Sequence, residues 1–368
     1  MQKKAFFANA LGCLMAVGAL SGLTACNKGK DLVDFTVTVD ASRDARVLHI
    51  SDPQLMDDVD AEKYCFRYVR QVVEAYDPDL ILVTGDLVYG KFDHEGKAFR
   101  AYVDFMETLD TPWAPVFGNH DNESAMGVDW QCKQLENAEN CLFKQRNLTG
   151  NGNYSVGIEQ GGKLTRAFFM LDSNGCSEAS MASLENGHTG RSAGIWEDQR
   201  EWYVKECTEI EKRSPDTKIT FAFHIQPMVF SDAIWTYYDE ETWEIYENLD
   251  ENPLAQERGD FGYIGAEAKG PWDTYGDVYA EMLDMGADSI MVGHEHLNSA
   301  SILYEGVRLQ YGQKCSQYDR YNKWYNGEII GNYEKKGQAI MGGTAWALDK
   351  EDGSIKNAGL YLYDWTKA

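Results

Sequence analysis

No Cys-x-x-Cys pair occurs anywhere in this chain of 368 residues, which argues against a structural zinc site built on thiolates. Basic residues are also short: 34 Lys and Arg stand against 59 Asp and Glu, a formal charge of −25. A field of that sign repels nucleic acid and anionic surfaces, so no nucleic-acid partner is expected, and a polyanion is admitted only at a locally positive site. Long apolar runs are missing after the first 25 residues, so the body of the chain is expected to be soluble. Internal repeats and long low-complexity segments are absent too, which leaves an ordinary globular core as the expectation.

What stands at the start is an export signal. Lys3 and Lys4 precede an apolar run from Leu11 to Leu20, and Leu23-Thr24-Ala25-Cys26 follows. Small residues ending in Cys resemble a bacterial lipobox, so residues 1–25 are expected to be removed and Cys26 lipidated. Residues 26–42 then read as a tether and 43–368 as one domain. The protein is therefore expected outside the cytoplasm, held to a bacterial membrane by an N-terminal lipid only. Once Cys13 and Cys26 are set aside, six cysteines remain, enough for disulfides in an exported protein. Cys132 and Cys141, nine residues apart, are the pair expected to close a small ring.

Short apolar runs at 46–50, 80–84 and 114–117 alternate with helical spacing at 60–76 and 94–109. A β-α-β-α-β series implies parallel strands joined by right-handed crossovers. Further strands are expected at 153–159, 166–172, 217–223, 289–292, 299–304, 307–311, 337–342 and 359–364, with helices near 195–213 and 273–285. The fold class is α/β, a two-sheet mixed β-sandwich flanked by helices. Residues 231–275 are crowded with aromatic and acidic side chains without a clear period, and read as an insertion or lid near the site.

Five short motifs fall just past expected strand ends: Ser51-Asp52-Pro53-Gln54, Gly85-Asp86, Gly118-Asn119-His120-Asp121, His224 and Gly293-His294-Glu295-His296. In open α/β sheets the loops after the carboxyl ends of strands carry the chemistry. The chain has seven histidines and four of them lie in these motifs, which makes a chance gathering improbable. Of the others, His49 is expected in the core, and His94 and His188 on the surface. Carboxylate, amide and imidazole donors together suit Mn, Fe or Zn. Two such ions ~3.5–4 Å apart generate a bridging hydroxide and clamp the oxygens of a phosphoryl transfer.

Asp86 is assigned as the bridge, Asp52, Gln54 and His296 to one ion, and Asn119, His224 and His294 to the other. Gly293 is expected to let the backbone turn so that both histidines reach a metal. His120 is assigned as the general acid, with Asp121 orienting its ring. Asp172 and Ser173 read as braces on a neighbouring strand, and Gln199 and Trp202, at i and i+3, as residues docking a helix. The expected activity is hydrolysis of small or medium phosphate mono- or diesters. The alternative is a catalytically weakened surface lipoprotein that binds a ligand or partner.

The ordered motifs resemble the calcineurin-like metallophosphoesterase superfamily over residues 47 to about 300. Leu171-Asp172-Ser173, Ile195-Trp196 with Gln199 and Trp202, and Arg308-Leu309-Gln310-Tyr311-Gly312 resemble a branch with purple-acid-phosphatase-like plant proteins and a fungal cell-cycle phosphatase. The resemblance implies a dinuclear centre and phosphoesterase activity. Gln54 departs from the family's usual Asp-x-His, and an amide oxygen is the weaker ligand. Gly85-Asp86-Leu87-Val88-Tyr89 also looks like the purple acid phosphatase pattern in which the Tyr binds iron. Two ligand sets therefore stay open, one with Gln54 and one with Tyr89.

Overall fold

The computed structural model describes residues 32–57, 59–175, 194–239, 244–245, 248–265, 277–316, 334–335, 338–339, 341–364 and 366. The expected signal, Cys26, Cys176, His188 and the aromatics Trp243, Tyr246, Trp272 and Tyr275 lie outside them. No helix among the described residues is long and apolar enough to cross a membrane.

Phe35–Val39 (β1), Tyr154–Gln160 (β5), Lys163–Met170 (β6), Lys218–Ala222 (β7), Ala287–Val292 (β10), Ser301–Tyr304 (β11) and Val307–Tyr311 (β12) form a seven-stranded sheet in the order β1-β5-β6-β7-β10-β12-β11. The second sheet has six strands. Ile355–Leu362 (β17), Gly342–Leu348 (β16), Ala45–Ser51 (β2), Leu80–Thr84 (β3) and Trp113–Val116 (β4) lie in that order, and Gln313–Lys314 (β13) pairs with β2. Two-residue hairpins, Tyr238–Asp239 with Glu244–Ile245 (β8, β9) and Glu334–Lys335 with Gln338–Ala339 (β14, β15), stand apart from both sheets. The expected two-sheet mixed α/β architecture is what the chain adopts.

Within the second sheet β2, β3 and β4 run parallel, and in the first β6, β7, β10 and β12 do. Their carboxyl ends carry all five motifs. The β2–β3 crossover is helix α1 (Val59–Tyr76), which buries Val69, Val72 and Val73; the β3–β4 crossover is α2 (Lys97–Glu107), which buries Phe99, Tyr102, Val103 and Met106. Each aliphatic side chain so buried contributes ~1.5–3 kcal/mol of transfer free energy. One apolar cluster joins these helices to side chains of both sheets; a second covers the outer face of the seven-stranded sheet with Trp202 and Tyr203 of α4 (Glu197–Arg213).

Four expectations need correction. The tether of 26–42 gives way at Phe35, because Val37 and Val39 are buried and β1 pairs in parallel register with β5. Cys132 and Cys141 are both free: Cys132 lies on the buried side of a helix, α3 (Val128–Asn137), while Cys141 bridges to Trp113 beside β4. The strand expected at 337–342 is instead two short pieces, β15 and the start of β16. The described part of 231–275 is packed rather than a free lid, since Tyr237, Leu249, Ala255 and Ile264 are buried and Phe261 bridges to Ser301 of β11.

Candidate metal centre

Each motif residue is delivered by a tight turn that leaves a buried strand. Asp52, Gln54, Asp86 and His294 all have left-handed backbone, with φ of 52°, 44°, 52° and 71°. Non-glycine residues seldom occupy that region, and such strain gathers where the surrounding structure over-determines the geometry for a purpose. Gly118 is required for another reason: a Cβ there would stand 2.2 Å from Asp86 Oδ1. Gly293 also serves close approach, since a Cβ there would meet Thr84 O at 2.6 Å, and the left-handed residue of this turn is His294.

These turns gather the expected donors. One oxygen each of Asp52 and Asp86 and a ring nitrogen of His296 lie within 4.8 Å of one another, all three residues buried. His296 Nε2 is 3.4 Å from Asp52 Oδ1, and His224 Nε2 is 3.4 Å from Asp86 Oδ1. Asn119 Oδ1 stands 3.1 Å from His224 Nε2, and the His294 ring packs at 5.1 Å from that of His224. Gln54 Nε2 donates to Asp86 Oδ2 at 2.9 Å. Asp52 Oδ1 is buried and faces the His296 ring nitrogen without a hydrogen bond of good geometry, which is the condition of an oxygen arranged to meet a cation. Mixed oxygen and imidazole donors with buried carboxylates at their centre fit a transition-metal pair.

Charge in the cluster is mutually adjusted. Burial pushes Asp86 upward, but the His224 and His120 charges outweigh it and hold the carboxyl well below its ordinary range. Asp52 is lowered in the same way, burial being overcome by His296 and His224. His224 shows the reverse: burial pulls it down, and Asp86, Asp52 and the Thr84 carbonyl lift it to about 9. His294 falls to about 3, through burial first and the neighbouring His224 charge second. Its neutral ring is the form a metal requires.

His120 sits at the edge of the cluster, its backbone N–H donating to Asp86 Oδ1 at 2.8 Å. The carboxylate at its ring is Glu123, with Oε2 3.0 Å from Nδ1, and not the expected Asp121. Asp121 faces inward, accepting from Gly118 N at 2.8 Å and Val88 N at 3.0 Å, so it shapes the turn rather than the ring. Glu123 lies three residues after His120 in a 3-10 turn, a spacing that the sequence displays without marking as functional. Tyr89 packs its ring 4.2 Å from the His120 ring.

Outer contacts hold the ligands in place. His224 Nδ1 pairs with Thr84 O at 2.7 Å, which orients Nε2 toward Asn119 and Asp86. Glu295, the residue between the paired histidines, is buried and accepts from Gln226 Nε2 and Asn298 Nδ2. Ser173 Oγ accepts from Ile225 N at 2.9 Å and so braces the residue after His224, while Asp172 accepts from Asn151 N and Asn174 N and holds those two loops together. Gln199 caps its own helix and bonds Asn153, and Trp202 packs on Phe169, as expected of a docked helix. Lys314, buried beside β2, donates to Asp52 O at 2.9 Å and was not singled out by sequence. His49 is a core group, its Nε2 2.7 Å from Thr84 Oγ1, while His94 is exposed.

Residues 45–298 match the family model described as calcineurin-like phosphoesterase. An uncharacterised Schizosaccharomyces pombe protein is 25% identical over 206 residues, 50% of this chain and 38% of that one. An Arabidopsis thaliana protein named probable inactive purple acid phosphatase 28 is 37% identical over 107 residues, 25% of this chain and 27% of that one. The chain thus spans well under half the length of these relatives. A dimetal phosphatase from Danio rerio superposes with a TM-score of 0.49 at 10% identity, over 88% of this chain and 100% of that one.

Proposed function

The chain belongs to the calcineurin-like phosphoesterase family, and from that premise we propose that it hydrolyses phosphate mono- or diesters at a two-metal centre. The carrying observation is the convergence of Asp52, Asp86 and His296 to within 4.8 Å, with the buried Asp52 Oδ1 facing His296 Nε2 at 3.4 Å. Asp86 faces both halves and would be shared, Asp52 and His296 would serve one ion, and Asn119, His224 and His294 the other. Bound there, metal ions would supply a nucleophile at neutral pH and offset phosphoryl charge. Mn, Fe and Zn all suit these donors.

His120 carries the proton step in this reading. Glu123 engages Nδ1, so Nε2 is the nitrogen left to face the substrate. As the scissile P–O bond breaks, its electron pair stays on the alcohol oxygen, which takes the proton from His120. Gln54 reaches Asp86, and turning its amide would present an oxygen to a metal. The Tyr89 ring packs on His120, a contact that leaves its hydroxyl uncommitted, so both ligand sets stay open.

A second reading, a catalytically weakened binding protein, draws on Gln54 and on the word "inactive" in the name of the Arabidopsis relative. Metal-free protein reloaded with Mn, Zn or Fe and given p-nitrophenyl phosphate and its bis ester separates the two. Turnover of either ester supports the enzyme; none with any metal, despite full metal content, leaves the binding protein. We further propose that Cys26 carries the lipid. Cys26→Ser protein recovered from the membrane fraction, with unchanged acylation, would remove that anchor.

A further inference from the structure

Beside the proposed acid lies an aromatic surface that neither the metals nor the core uses. Phe92 is 41% exposed, one of few large apolar side chains left so open among the described residues. Its ring stands edge-on to Tyr89 at 4.9 Å and 89°, and Tyr89 in turn packs at 4.2 Å on His120. The position is firmly set. Phe92 N donates to Tyr89 O at 2.8 Å, and Asp57 N, three residues past Gln54, donates to Phe92 O at 3.2 Å. Gly90 N donates to His120 O at 3.0 Å, and a Cβ at Gly90 would stand 2.4 Å from Ser124 N. Phe92 is thereby pinned between the turn that carries Asp52 and Gln54 and the turn that carries Asn119 and His120.

The group that receives a proton from His120 is the alcohol leaving from phosphorus, so whatever adjoins His120 adjoins that alcohol. We propose that Tyr89 and Phe92 form the leaving-group wall of the site, and that its substrates are phosphoesters of flat aromatic or heteroaromatic alcohols. The proposal rests on the phosphoesterase reading above and deepens it. An exposed ring next to an ordered one leaves a face for an offset or edge-on partner, the arrangements that aromatic pairs prefer. Lys91 Nζ, 6.0 Å from the centre of the Phe92 ring, adds a cation at the rim for a leaving group with electron-rich edges.

Binding to metal-loaded protein tests the wall without requiring turnover. Phenylphosphonate and methylphosphonate share the phosphoryl end and differ in the ring alone. Phe92→Ala is expected to weaken phenylphosphonate by about three- to tenfold, the range an aromatic pair supplies, with methylphosphonate within about twofold. Phe92→Tyr, which keeps the ring, is expected to retain the wild-type preference. Equal changes for both ligands, no change for either, or loss of preference in Phe92→Tyr would overturn the wall. Failure of metal-loaded wild type to bind either phosphonate is a different result, which removes the phosphoesterase reading and the wall with it.

Discussion

The two sheets contribute unlike halves to the centre. From the six-stranded sheet come oxygens, those of Asp52, Gln54, Asp86 and Asn119; from the seven-stranded sheet come the nitrogens of His224, His294 and His296. The oxygen half is anionic and strained, with three of its four residues at positive φ, whereas only His294 shares that strain on the imidazole half. Two buried carboxylates so close would repel each other and rise in pKa if they stood alone. Instead His224 and His296 of the imidazole half, together with His120 from the loop after β4, hold Asp86 and Asp52 below their ordinary range. Each half therefore makes the other affordable to bury, and the seam between the sheets is where a cation gains from both.

The comparison breaks most visibly at the carboxylate proposed to serve both ions. Asp86→Ala is expected to abolish metal loading and to cost turnover beyond the ~10²–10⁴ that loss of a general acid costs. Metal content by elemental analysis, read beside phosphoester hydrolysis, checks both; full loading would show that Asp86 is not shared. His120→Ala should separate chemistry from loading. Metal content stays at the wild-type level and turnover falls by ~10²–10⁴, whereas a matching loss of metal would assign His120 to the ligand set.

A smaller effect sharpens how the imidazole half is held. Glu295 ties the turn after His224 to the turn containing His294 and His296 through Gln226 and Asn298. Removing such outer partners costs about 10–100-fold in metal affinity, so Glu295→Ala should weaken loading by that factor in a competition with a chelating dye. Unchanged affinity would mean that the strand ends alone set the two loops.

The oxygen half was readable because its residues come within three positions of an apolar run: Asp52 after β2, Asp86 after β3 and Asn119 after β4. What the sequence hid is contact across distance. Glu123 reaches His120 because a 3-10 turn curls it back, and residue spacing alone favoured the adjacent Asp121. Lys314 arrives beside Asp52 through a two-residue strand too short to show a period. The Cys132–Cys141 expectation failed for the same reason, since α3 carries Cys132 to one buried surface while Cys141 follows β4. β1 escaped notice because it pairs with a strand some 120 residues away, as Val37 with Ile158.

Asp172 offers the smallest test and the most direct one, because it is a buried carboxylate on the imidazole side. Burial dominates there, and despite hydrogen bonds from Asn151 and Asn174 the carboxyl is raised to about 6. An unfolded Asp titrates near ~3.9. Between those values the folded state holds the extra proton, so stability falls as pH rises through roughly 4 to 6 and is level above. Two units correspond to ~3 kcal/mol at most. Asp172→Asn lacks the titrating group, so the difference in urea-unfolding free energy between wild type and variant should shift toward the variant from pH 4 to pH 7. Asp52 and Asp86 act in the opposite sense, their lowered values giving stability that is lost as pH falls below the ordinary carboxylate range. They titrate in both proteins and cancel from that difference. A difference independent of pH would mean that burial does not raise Asp172 at all, and the contrast between the two halves would lose its electrostatic basis.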